Sequence, residues 1–536
     1  MKTLVCINID SDSKFAFDSI FNEESAFQRV LNWINFLHKE NKCGEISKVI
    51  FIATGTNKTL LEEKLSSFNL KYEICYDDFS FSDKLLTVLK DKVIGFENVI
   101  YGNGNCPFYD PELTANLYEL HINSAAEYTF ADGWPEGLAP VIINSGTIAI
   151  LASLTSQNPI KVERDVFFDI MKTEINSFEI ETLLAPEDTR QYRFDFSCDS
   201  KIKTLACKNL FDSINTKANP DFSANAISLK AIFSNNILRT LPAFYNVQIS
   251  SVCAGTCSYC PYPISYKEKY GHNCSEAIEK NSNCFMPLEK FEKIVEQMHN
   301  FSEEAVVSLS LWGEPLLHPN FIKMIETVLK FSGLSVLIET DACNISSEMI
   351  EEIKKIEKNA ETRKKNKPAI IWIVSLDSND SKMYSTMRGC GTDKIPVSFE
   401  KASLGIDLLQ KSFPDTTYVQ FVRTVKNEEQ LESFYRTRKD MGEIIIQKYD
   451  SFAGFLPNLQ VADLSPLVRN PCWHQRRDMT ILADGTVLPC REFLLNEKDS
   501  IGNVFEESLE SLWFKDKDMI YKEKCRNCDE YYTFNF

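Results

Sequence analysis

Three cysteines within eight residues, Cys253, Cys257 and Cys260, are the densest group of reactive side chains in the sequence. Thiols at this spacing can wrap one metal centre, and disulfides are rare in long chains without a secretion signal. A four-iron, four-sulfur cluster with three protein thiolates keeps one iron open for a further ligand. A structural zinc would need a fourth ligand, such as His272 or His299. The residues alone leave zinc and unligated thiols as alternatives.

Four more cysteines lie near the carboxyl end: Cys472, Cys490, Cys525 and Cys528. Residues 481–486 predict a β-hairpin with an Asp-Gly turn, which would bring Cys472 and Cys490 together. Four thiols make a closed site, and that number fits either a four-iron cluster or a tetrahedral zinc. Zinc ribbons usually pair two Cys-x-x-Cys units, and this segment has one. We therefore favour an iron–sulfur site.

The elements that must position these thiols alternate strands with helices. In the first 210 or so residues, strands are predicted at Leu4–Ile9, Lys48–Ala53 and Val99–Tyr101, with helices at 25–39 and 59–68. Strands alternating with helices of this length predict a doubly wound parallel sheet.

A second alternation begins near residue 246 and sets the first three cysteines directly after its first strand. Six strands are predicted, at 246–251, 306–311, 334–339, 370–375, 418–425 and 444–449, with helices at 288–301, 321–331, 346–358, 398–410 and 428–439. They make a partial (β/α)6 barrel, in which active residues lie on the loops after the strands. The predicted domains are 1–211, a linker at 212–243, the barrel at 244–465 and a small cysteine-rich domain at 466–536.

The Cys-x3-Cys-x2-Cys loop, with Tyr259 before its last cysteine, resembles the signature of radical S-adenosylmethionine (SAM) enzymes. Trp312-Gly313-Glu314-Pro315 is similar to that family's GGE motif, although a tryptophan replaces the first glycine. The resemblance implies that Gly313 and Glu314 hold the methionine ammonium of SAM. A buried carboxylate is a suitable partner for an ammonium group.

Ser375-Leu376-Asp377, followed by Met387-Arg388-Gly389, is similar to the family's SxDG…RG stretch. The resemblance implies that Ser375, Asp377 and Arg388 meet the ribose and carboxylate side of SAM, with Ser378 in place of the usual glycine. It also implies that a reduced cluster cleaves SAM and that the resulting 5′-deoxyadenosyl radical abstracts hydrogen from a substrate. The partner would be an electron donor of the flavodoxin or ferredoxin type.

The spacing Cys472-x12-Gly485-x4-Cys490 resembles the start of a SPASM domain, the auxiliary-cluster extension of many radical enzymes. The segments 447–454, 472–474 and 528–536, behind a sugar-nucleotide-type first domain, look like the spiro-SPASM proteins. A full SPASM domain has seven cysteines and two clusters. This shorter tail implies one auxiliary four-iron, four-sulfur cluster held by the four carboxyl-terminal cysteines.

In the first domain, Gly104-Asn105-Cys106-Pro107 and Asp110-Pro111-Glu112-Leu113 resemble the GDCPxxDPEL segment of sugar cytidylyltransferases. That family's metal-binding aspartate is Asn105 here, and a neutral amide cannot offset the charge of a metal. A basic, glycine-rich phosphate loop is also missing from residues 10–21. We therefore predict a degenerate nucleotidyltransferase-like domain with a binding or docking role.

The chain has 536 residues, with 58 Lys and Arg against 76 Asp and Glu, for a net charge of −18. Such an acidic surface disfavours a nucleic-acid partner. No segment is long and apolar enough to span a membrane, and we expect a cytoplasmic protein. The substrate class stays open between a peptide and a sugar- or nucleotide-linked molecule. Two other functions also remain: a nucleotidyltransferase with structural zinc–cysteine domains, or a non-catalytic binding scaffold.

Overall fold

The computed structural model describes residues 1–9, 14–55, 58–190, 193–215, 235–280, 283–363, 367–464, 472–515 and 523–529. Contacts along the chain divide it into two compact units, Met1–Thr240 and Leu241–Phe536. Most of the predicted linker lies outside the described residues. The same holds for residues 530–536 of the spiro-SPASM resemblance and for part of the expected phosphate-loop region at 10–21.

The first unit is built on a seven-stranded sheet in the order β5-β4-β1-β6-β8-β7-β9, and a separate β2–β3 hairpin. The strands are β1 (Lys2–Ile9), β2 (Ser19–Phe21), β3 (Glu24–Ser25), β4 (Glu45–Ala53), β5 (Tyr72–Tyr76), β6 (Asn98–Asn103), β7 (Tyr128–Asp132), β8 (Val141–Asn144) and β9 (Ile180–Leu184). The three strands predicted from sequence are confirmed as β1, β4 and β6.

Helices cover both faces of this sheet. They are Lys14–Phe17, Ala26–Glu40, Lys58–Leu65, Ser82–Lys92, Pro111–Asn123, Ser145–Thr155, Val166–Met171, Lys201–Asn215 and Asn235–Leu238, with a 3₁₀ turn at Lys172–Ser177. Strand β1 shows why the sheet needs a layer of helices on each face. Val5 and Ile7 pack into one core, whereas the alternating Leu4 and Cys6 pack into a second core. The doubly wound class is therefore confirmed.

One strand departs from the predicted all-parallel arrangement. Strand β8 runs antiparallel to both of its neighbours, β6 and β7. Only residues 133–140 connect β7 to β8. A parallel crossover needs a dozen or more residues, so this short connection can only return antiparallel.

The second unit contains a nine-stranded sheet in the order β15-β14-β13-β12-β11-β10-β16-β17-β18. Its strands are β10 (Phe244–Val247), β11 (Ala305–Ser308), β12 (Leu334–Thr340), β13 (Ile370–Ser375), β14 (Thr417–Arg423), β15 (Glu443–Lys448), β16 (Asp478–Ile481), β17 (Thr486–Leu488) and β18 (Gly502–Asn503). All six predicted barrel strands are confirmed, as β10 to β15. Each pairs in parallel with the next along the chain.

The helices of this unit follow the strands as the predicted β/α pattern requires. They are Tyr262–Tyr270, Ala277–Lys280, Leu288–Ser302, Phe321–Leu329, Ser347–Asn359, Ser381–Arg388, Phe399–Ser412, Leu431–Arg438, Trp473–Arg477, Leu509–Lys515 and Glu523–Arg526. Short 3₁₀ turns lie at Cys274–Glu276, Pro315–Leu317, Pro414–Thr416, Glu428–Gln430, Arg491–Phe493 and Glu497–Asp499. The large core lies between these helices and the sheet. A smaller core of Phe244, Val306, Leu337, Ile371, Ile373 and Ile445 lies on the inner side of the strands.

The carboxyl-terminal cysteine segment continues the barrel sheet. Strand β16 pairs in parallel with β10, and it turns back through the predicted hairpin into β17. The sequence predicts the hairpin, which is confirmed, but it gives no sign of this pairing with β10. Among the described residues, no helix is long and apolar enough to cross a membrane.

Candidate functional site

The loop after β10 carries the first three thiols on one side of a cavity of about 180 Å³. A Cβ atom built on Gly255 would lie 3.3 Å from Sγ of Cys257 and 3.7 Å from Sγ of Cys253, so the loop backbone curls tightly between these two sulfurs. Cys260 lines the same space, which we call the Cys253 cavity.

Two backbone hydrogen bonds fix this loop to the end of helix Ser381–Arg388. The amide of Thr256 donates to the carbonyl of Arg388 at 3.0 Å, and that of Ser258 donates to the carbonyl of Met387 at 2.7 Å. Burial raises the pKa of the Cys253 and Cys257 thiols. Iron binds thiolates, so binding in the Cys253 cavity would release protons. Three soft sulfur donors around one space fit a cluster with an open iron.

The Gly313-Glu314 turn after β11 packs against the thiol loop. Gly313 has φ of +86°, and a Cβ atom there would lie 2.0 Å from the Ser250 carbonyl oxygen. The next amide, that of Glu314, donates to the Val252 carbonyl at 2.7 Å. Only glycine permits this backbone conformation and this approach together.

The Glu314 carboxyl lines the Cys253 cavity and is almost completely buried. It accepts hydrogen bonds from Thr340 Oγ1 at 2.6 Å, the Leu316 amide at 3.1 Å and the Asp341 amide at 3.1 Å. Burial, reinforced by the nearby Asp341, raises the pKa of Glu314 to about 8. A cation beside it would return the carboxyl to its charged form, which fits the amino group of SAM.

Trp312, which replaces the first glycine of the family motif, forms part of the cavity wall. Its ring stacks on Tyr262 with centroids 6.0 Å apart and planes 2° apart. It also meets the ring of Phe452 at 5.7 Å. The indole therefore packs between helix Tyr262–Tyr270 and the segment that follows β15. A glycine has no side chain to make these contacts.

Of the three residues implied on the ribose side, Ser375 and Arg388 line the Cys253 cavity, and so does Tyr259. Asp377 differs, since it is fully buried and no part of it lines that cavity. Its Oδ1 accepts from the Val422 amide at 2.7 Å, and its Oδ2 accepts from the Tyr259 hydroxyl at 2.7 Å and Arg388 Nη1 at 3.0 Å. Asp377 therefore holds Tyr259 and Arg388 in place from behind the wall.

The four carboxyl-terminal thiols line a second space of about 420 Å³, which we call the Cys472 cavity. Cys472 begins the short helix Trp473–Arg477, Cys490 follows β17, and Cys525 and Cys528 lie in and after helix Glu523–Arg526. Burial raises the pKa of Cys472 to about 11. Four sulfur donors around one space fit a closed iron–sulfur site. Among the described residues, no three His, Cys, Asp or Glu side chains are grouped so that they could hold a single metal ion.

The two cavities share part of their walls. Five residues line both: Glu339, Gln420, Gln447, Lys448 and Arg491. They come from the carboxyl ends of β12 and β15, from the middle of β14 and from the turn after β17. The two groups of thiols therefore face adjoining spaces on the inner side of the barrel.

The five shared residues were not predicted from the sequence. Polar side chains such as Gln420 and Lys448 within apolar strands were the available signal, because a polar residue on the inner face of a barrel strand points into the lumen. Cys274 is buried, and its Sγ donates to the Cys253 carbonyl at 3.3 Å. It supports the thiol loop through the backbone.

The cytidylyltransferase-like segment of the first unit forms a different kind of group. Arg164 lies 3.7 Å from Cys106 Sγ, 2.7 Å from Glu136 and 3.5 Å from Asp195, and Asp195 pairs with Lys203 at 2.5 Å. We call these five residues the Cys106 cluster. Burial raises the pKa of Cys106 to about 11, although Arg164 acts in the opposite direction. The thiol is therefore protonated at neutral pH.

The neighbouring motif residues have structural roles. Asp110 caps helix Pro111–Asn123 by accepting from the Leu113 amide at 2.7 Å, and the Asn105 carbonyl accepts from the Cys198 amide at 2.7 Å.

A parallel barrel with a three-thiol loop after its first strand, a glycine–glutamate turn after the second and a four-thiol extension defines a radical SAM enzyme with an auxiliary iron–sulfur domain. Family models match accordingly: the radical SAM superfamily over residues 247–437, and SPASM, an iron–sulfur cluster-binding domain, over residues 472–529. The chain belongs to the radical SAM superfamily and carries a SPASM domain. It is an enzyme that uses a four-iron, four-sulfur cluster with SAM, and its SPASM domain binds auxiliary iron and sulfur.

The chain is also similar to individual proteins. An uncharacterized protein of Treponema pallidum (strain Nichols) is 34% identical over 377 residues, which cover 69% of this chain and 98% of that protein. The solved structure of Streptococcus suis SuiB bound to S-adenosylmethionine is 15% identical, with 59% of this chain and 78% of that one covered and a TM-score of 0.40. A cytidylyltransferase from Leptospira borgpetersenii is 13% identical, with 45% and 98% covered and a TM-score of 0.36.

Proposed function

We propose that this enzyme abstracts hydrogen from a substrate, either a peptide or a sugar- or nucleotide-linked molecule, bound on the inner side of the barrel. The supporting observation is that three thiols, Glu314 and Arg388 line one cavity, whose wall is shared with the cavity of four further thiols. When bound, the first cluster and SAM together supply a carbon-centred oxidant for an unreactive C–H bond.

In this proposal Cys253, Cys257 and Cys260 hold the first cluster. Glu314 accepts the cofactor's amino group, with Gly313 allowing the carboxyl to reach it. Arg388 donates to the cofactor's carboxylate, because a guanidinium suits a planar anion.

Three other residues complete the proposed cofactor site. Ser375 and Tyr259 complete the wall, and Asp377 acts as a positioning residue through Tyr259 and Arg388. The surrounding strands exclude water and orient both partners, which lowers the entropic cost of the reaction.

The four carboxyl-terminal thiols, Cys472, Cys490, Cys525 and Cys528, hold the auxiliary cluster in this proposal. Four protein ligands leave no iron position for SAM. The auxiliary cluster would then bind no cofactor, and the chemistry that it would supply is either substrate binding or electron acceptance. The electron donor for the first cluster would be a flavodoxin or a ferredoxin.

We assign residues 1–211 to the degenerate nucleotidyltransferase-like domain, 244–465 to the barrel and 466–536 to the SPASM-like domain, with 212–243 between the first two. We also place the protein in the cytoplasm. None of its 17 cysteines forms a disulfide in the structure, as suits a reducing compartment.

The test combines iron counting with a product assay after anaerobic reconstitution. About eight irons per chain are expected, from two four-iron clusters, and 5′-deoxyadenosine should form when the reduced protein meets SAM. The double variant Cys525→Ala/Cys528→Ala should keep this cofactor cleavage and about four irons. A colourless, zinc-containing protein would refute the proposal. A folded tail variant that retains the first cluster but makes no 5′-deoxyadenosine would refute the assignment of roles to the two clusters.

A further inference from the structure

The wall shared by the two cavities contains a lysine, Lys448, whose ammonium group is buried. Among the residues that the structure describes, Lys448 Nζ is buried and has no hydrogen-bond partner. Lys448 lies at the end of β15 and lines both the Cys253 cavity and the Cys472 cavity. A buried ammonium without a partner is costly, so this position favours an anionic ligand.

The other basic residues of the Cys472 cavity are engaged by the protein. Arg423 makes two hydrogen bonds to Glu428, at 2.7 and 2.6 Å. Arg477 pairs with Asp478 at 2.7 Å, and Lys524 donates to the Glu492 carbonyl at 3.3 Å. Arg491, which also lines both cavities, has ion-pair contacts of 3.6 Å with Asp450 and 3.8 Å with Glu492. A ligand that binds at Lys448 need not break these contacts.

The balance of charge around the cavity is the reverse of that in the whole chain. Five Lys and Arg side chains line the Cys472 cavity, namely Arg423, Lys448, Arg477, Arg491 and Lys524, against three Asp and Glu side chains, namely Glu339, Asp478 and Glu492. The whole sequence has a net charge of −18. Because the other four basic side chains have protein partners, the preference for an anion rests on Lys448.

Part of the lining of the same cavity is apolar. Phe244, Leu337, Ile373 and Ile445 line it from the inner faces of four strands, and Phe493 adds a further aromatic ring. The auxiliary cluster assigned to the four thiols takes part of the volume of about 420 Å³, and the remainder suits the end of a larger molecule. The lining therefore combines apolar side chains with the Lys448 ammonium.

We propose that Lys448 binds the substrate by an anionic group, a carboxylate or a phosphate, while the apolar part of the substrate lies against Phe244 and its neighbours. This proposal rests on the proposed function, because it assigns the substrate of the same barrel site. Lys448 is a specificity-determining residue in it, and the lysine distinguishes charged from neutral molecules of the same shape.

The test uses reconstituted holoenzyme and three probes with one chain length: octanoate, octyl phosphate and octanamide. Calorimetric titration should give at least one of the two anions a dissociation constant about tenfold or more below that of the neutral amide. This difference is expected for a charge-assisted hydrogen bond. The anion that binds more tightly shows whether the anionic group of the substrate is a carboxylate or a phosphate. Equal binding of the amide and both anions, or no binding of any probe, would overturn the proposal.

Three variants locate the effect. Lys448→Met should remove the preference for anions, and Lys448→Arg should retain most of it. The exposed Lys401, on helix Phe399–Ser412, supplies the control, and Lys401→Met should behave like the wild type. An anion preference that survives Lys448→Met would overturn the proposal. The comparison of probes on the wild type stands even if a variant fails to fold.

Iron content and cofactor cleavage keep this test separate from that of the proposed function. The iron content of Lys448→Met shows whether this variant holds both clusters. If it holds them but loses 5′-deoxyadenosine formation in the absence of substrate, Lys448 belongs to the cofactor site and the substrate assignment is wrong. If even the wild type lacks iron or cleavage, the proposed function fails, whereas the preference for anions is still read from the titration.

Discussion

The Cys106 cluster and the Cys253 cavity both lie beside the carboxyl ends of strands, but their chemical groups are treated in opposite ways. In the Cys106 cluster, Arg164 and Lys203 are paired with Glu136 and Asp195. In the Cys253 cavity, three thiols, a buried carboxyl and the nearby Lys448 ammonium face a space. The charged side chains of the Cys106 cluster are therefore occupied by one another. The groups of the Cys253 cavity instead line a space that could hold a ligand.

The largest expected effect separates the two regions by activity. Cys257→Ala should abolish 5′-deoxyadenosine formation and remove about four of about eight irons, because the first cluster loses one of three ligands. Cys106→Ala should leave both quantities at their wild-type values. Iron analysis and chromatography of the product measure this. Loss of cofactor cleavage in Cys106→Ala would show that the Cys106 cluster takes part in this reaction.

Next in size is the effect of a single methyl group on the turn after β11. Gly313→Ala should lower the free energy of unfolding of the second unit by about 3 kcal/mol or more, because strain at positive φ adds to a backbone clash. Urea unfolding followed by cluster absorbance measures it.

Gly454 is the matched control for this substitution. It has a φ of +84°, but a Cβ atom there meets nothing within 4 Å. Gly454→Ala should therefore cost only about 1 kcal/mol. Equal losses in the two variants would mean that the close approach to Ser250 is unimportant.

A smaller effect is expected in the first unit. Burial raises the pKa of Asp195, but Lys203 and Arg164 outweigh burial and hold it at about 2. Asp195→Asn should destabilise this unit by about 2 kcal/mol and leave cofactor cleavage unchanged. Hydrogen exchange of helix Lys201–Asn215 should become about thirtyfold faster.

The pH dependence of this variant follows from the lowered pKa. The contribution of the Asp195 carboxylate is fully present above its unfolded pKa, 3.8, and it is lost as the pH falls through about 2. The difference between wild type and variant should therefore disappear in strong acid. A difference that persisted there would point to packing instead of charge.

The smallest expected effect concerns Glu314, whose folded pKa is raised from 4.5 to about 8. A raised pKa contributes stability that is fully present below 4.5 and is lost as the pH rises through about 8. Without SAM, the free energy of unfolding should fall by about 1 kcal/mol between pH 7 and pH 8. Glu314→Gln should remove this slope in urea titrations. Identical slopes in the two proteins would show that Glu314 is ionised in the folded state.

The sequence predicted the strands and helices well because their apolar periodicity is strong. All six barrel strands and the Asp-Gly hairpin were predicted, since local patterns specify them. The pairing of β16 with β10 was not, because it joins residues more than 200 positions apart and has no local signal. The antiparallel direction of β8 was not predicted for a different reason. It depends on the short connection between β7 and β8, at residues 133–140.

Residue type and spacing predicted which residues would lie together, whereas their roles stay predictions. The seven cysteines and Glu314 all line the expected cavities. Asp377 was expected to face the cofactor, but its two oxygens are used by Val422, Tyr259 and Arg388. No spacing rule distinguishes a carboxylate that faces a ligand from one that supports its neighbours. Lys448 was missed because its importance depends on the absence of a partner among the described residues.

The pairing of β10 with β16 has a consequence for the synthesis of the protein. β10 leaves the ribosome about 230 residues before its partner strand. At roughly 5–20 residues per second, the thiol loop beside β10 waits roughly ten seconds or more with one edge of its strand exposed. Iron delivered during this interval would meet an unfinished wall. We therefore expect the first cluster to be inserted after translation, and a shortened chain ending before Asp478 to aggregate instead of forming a separate barrel enzyme.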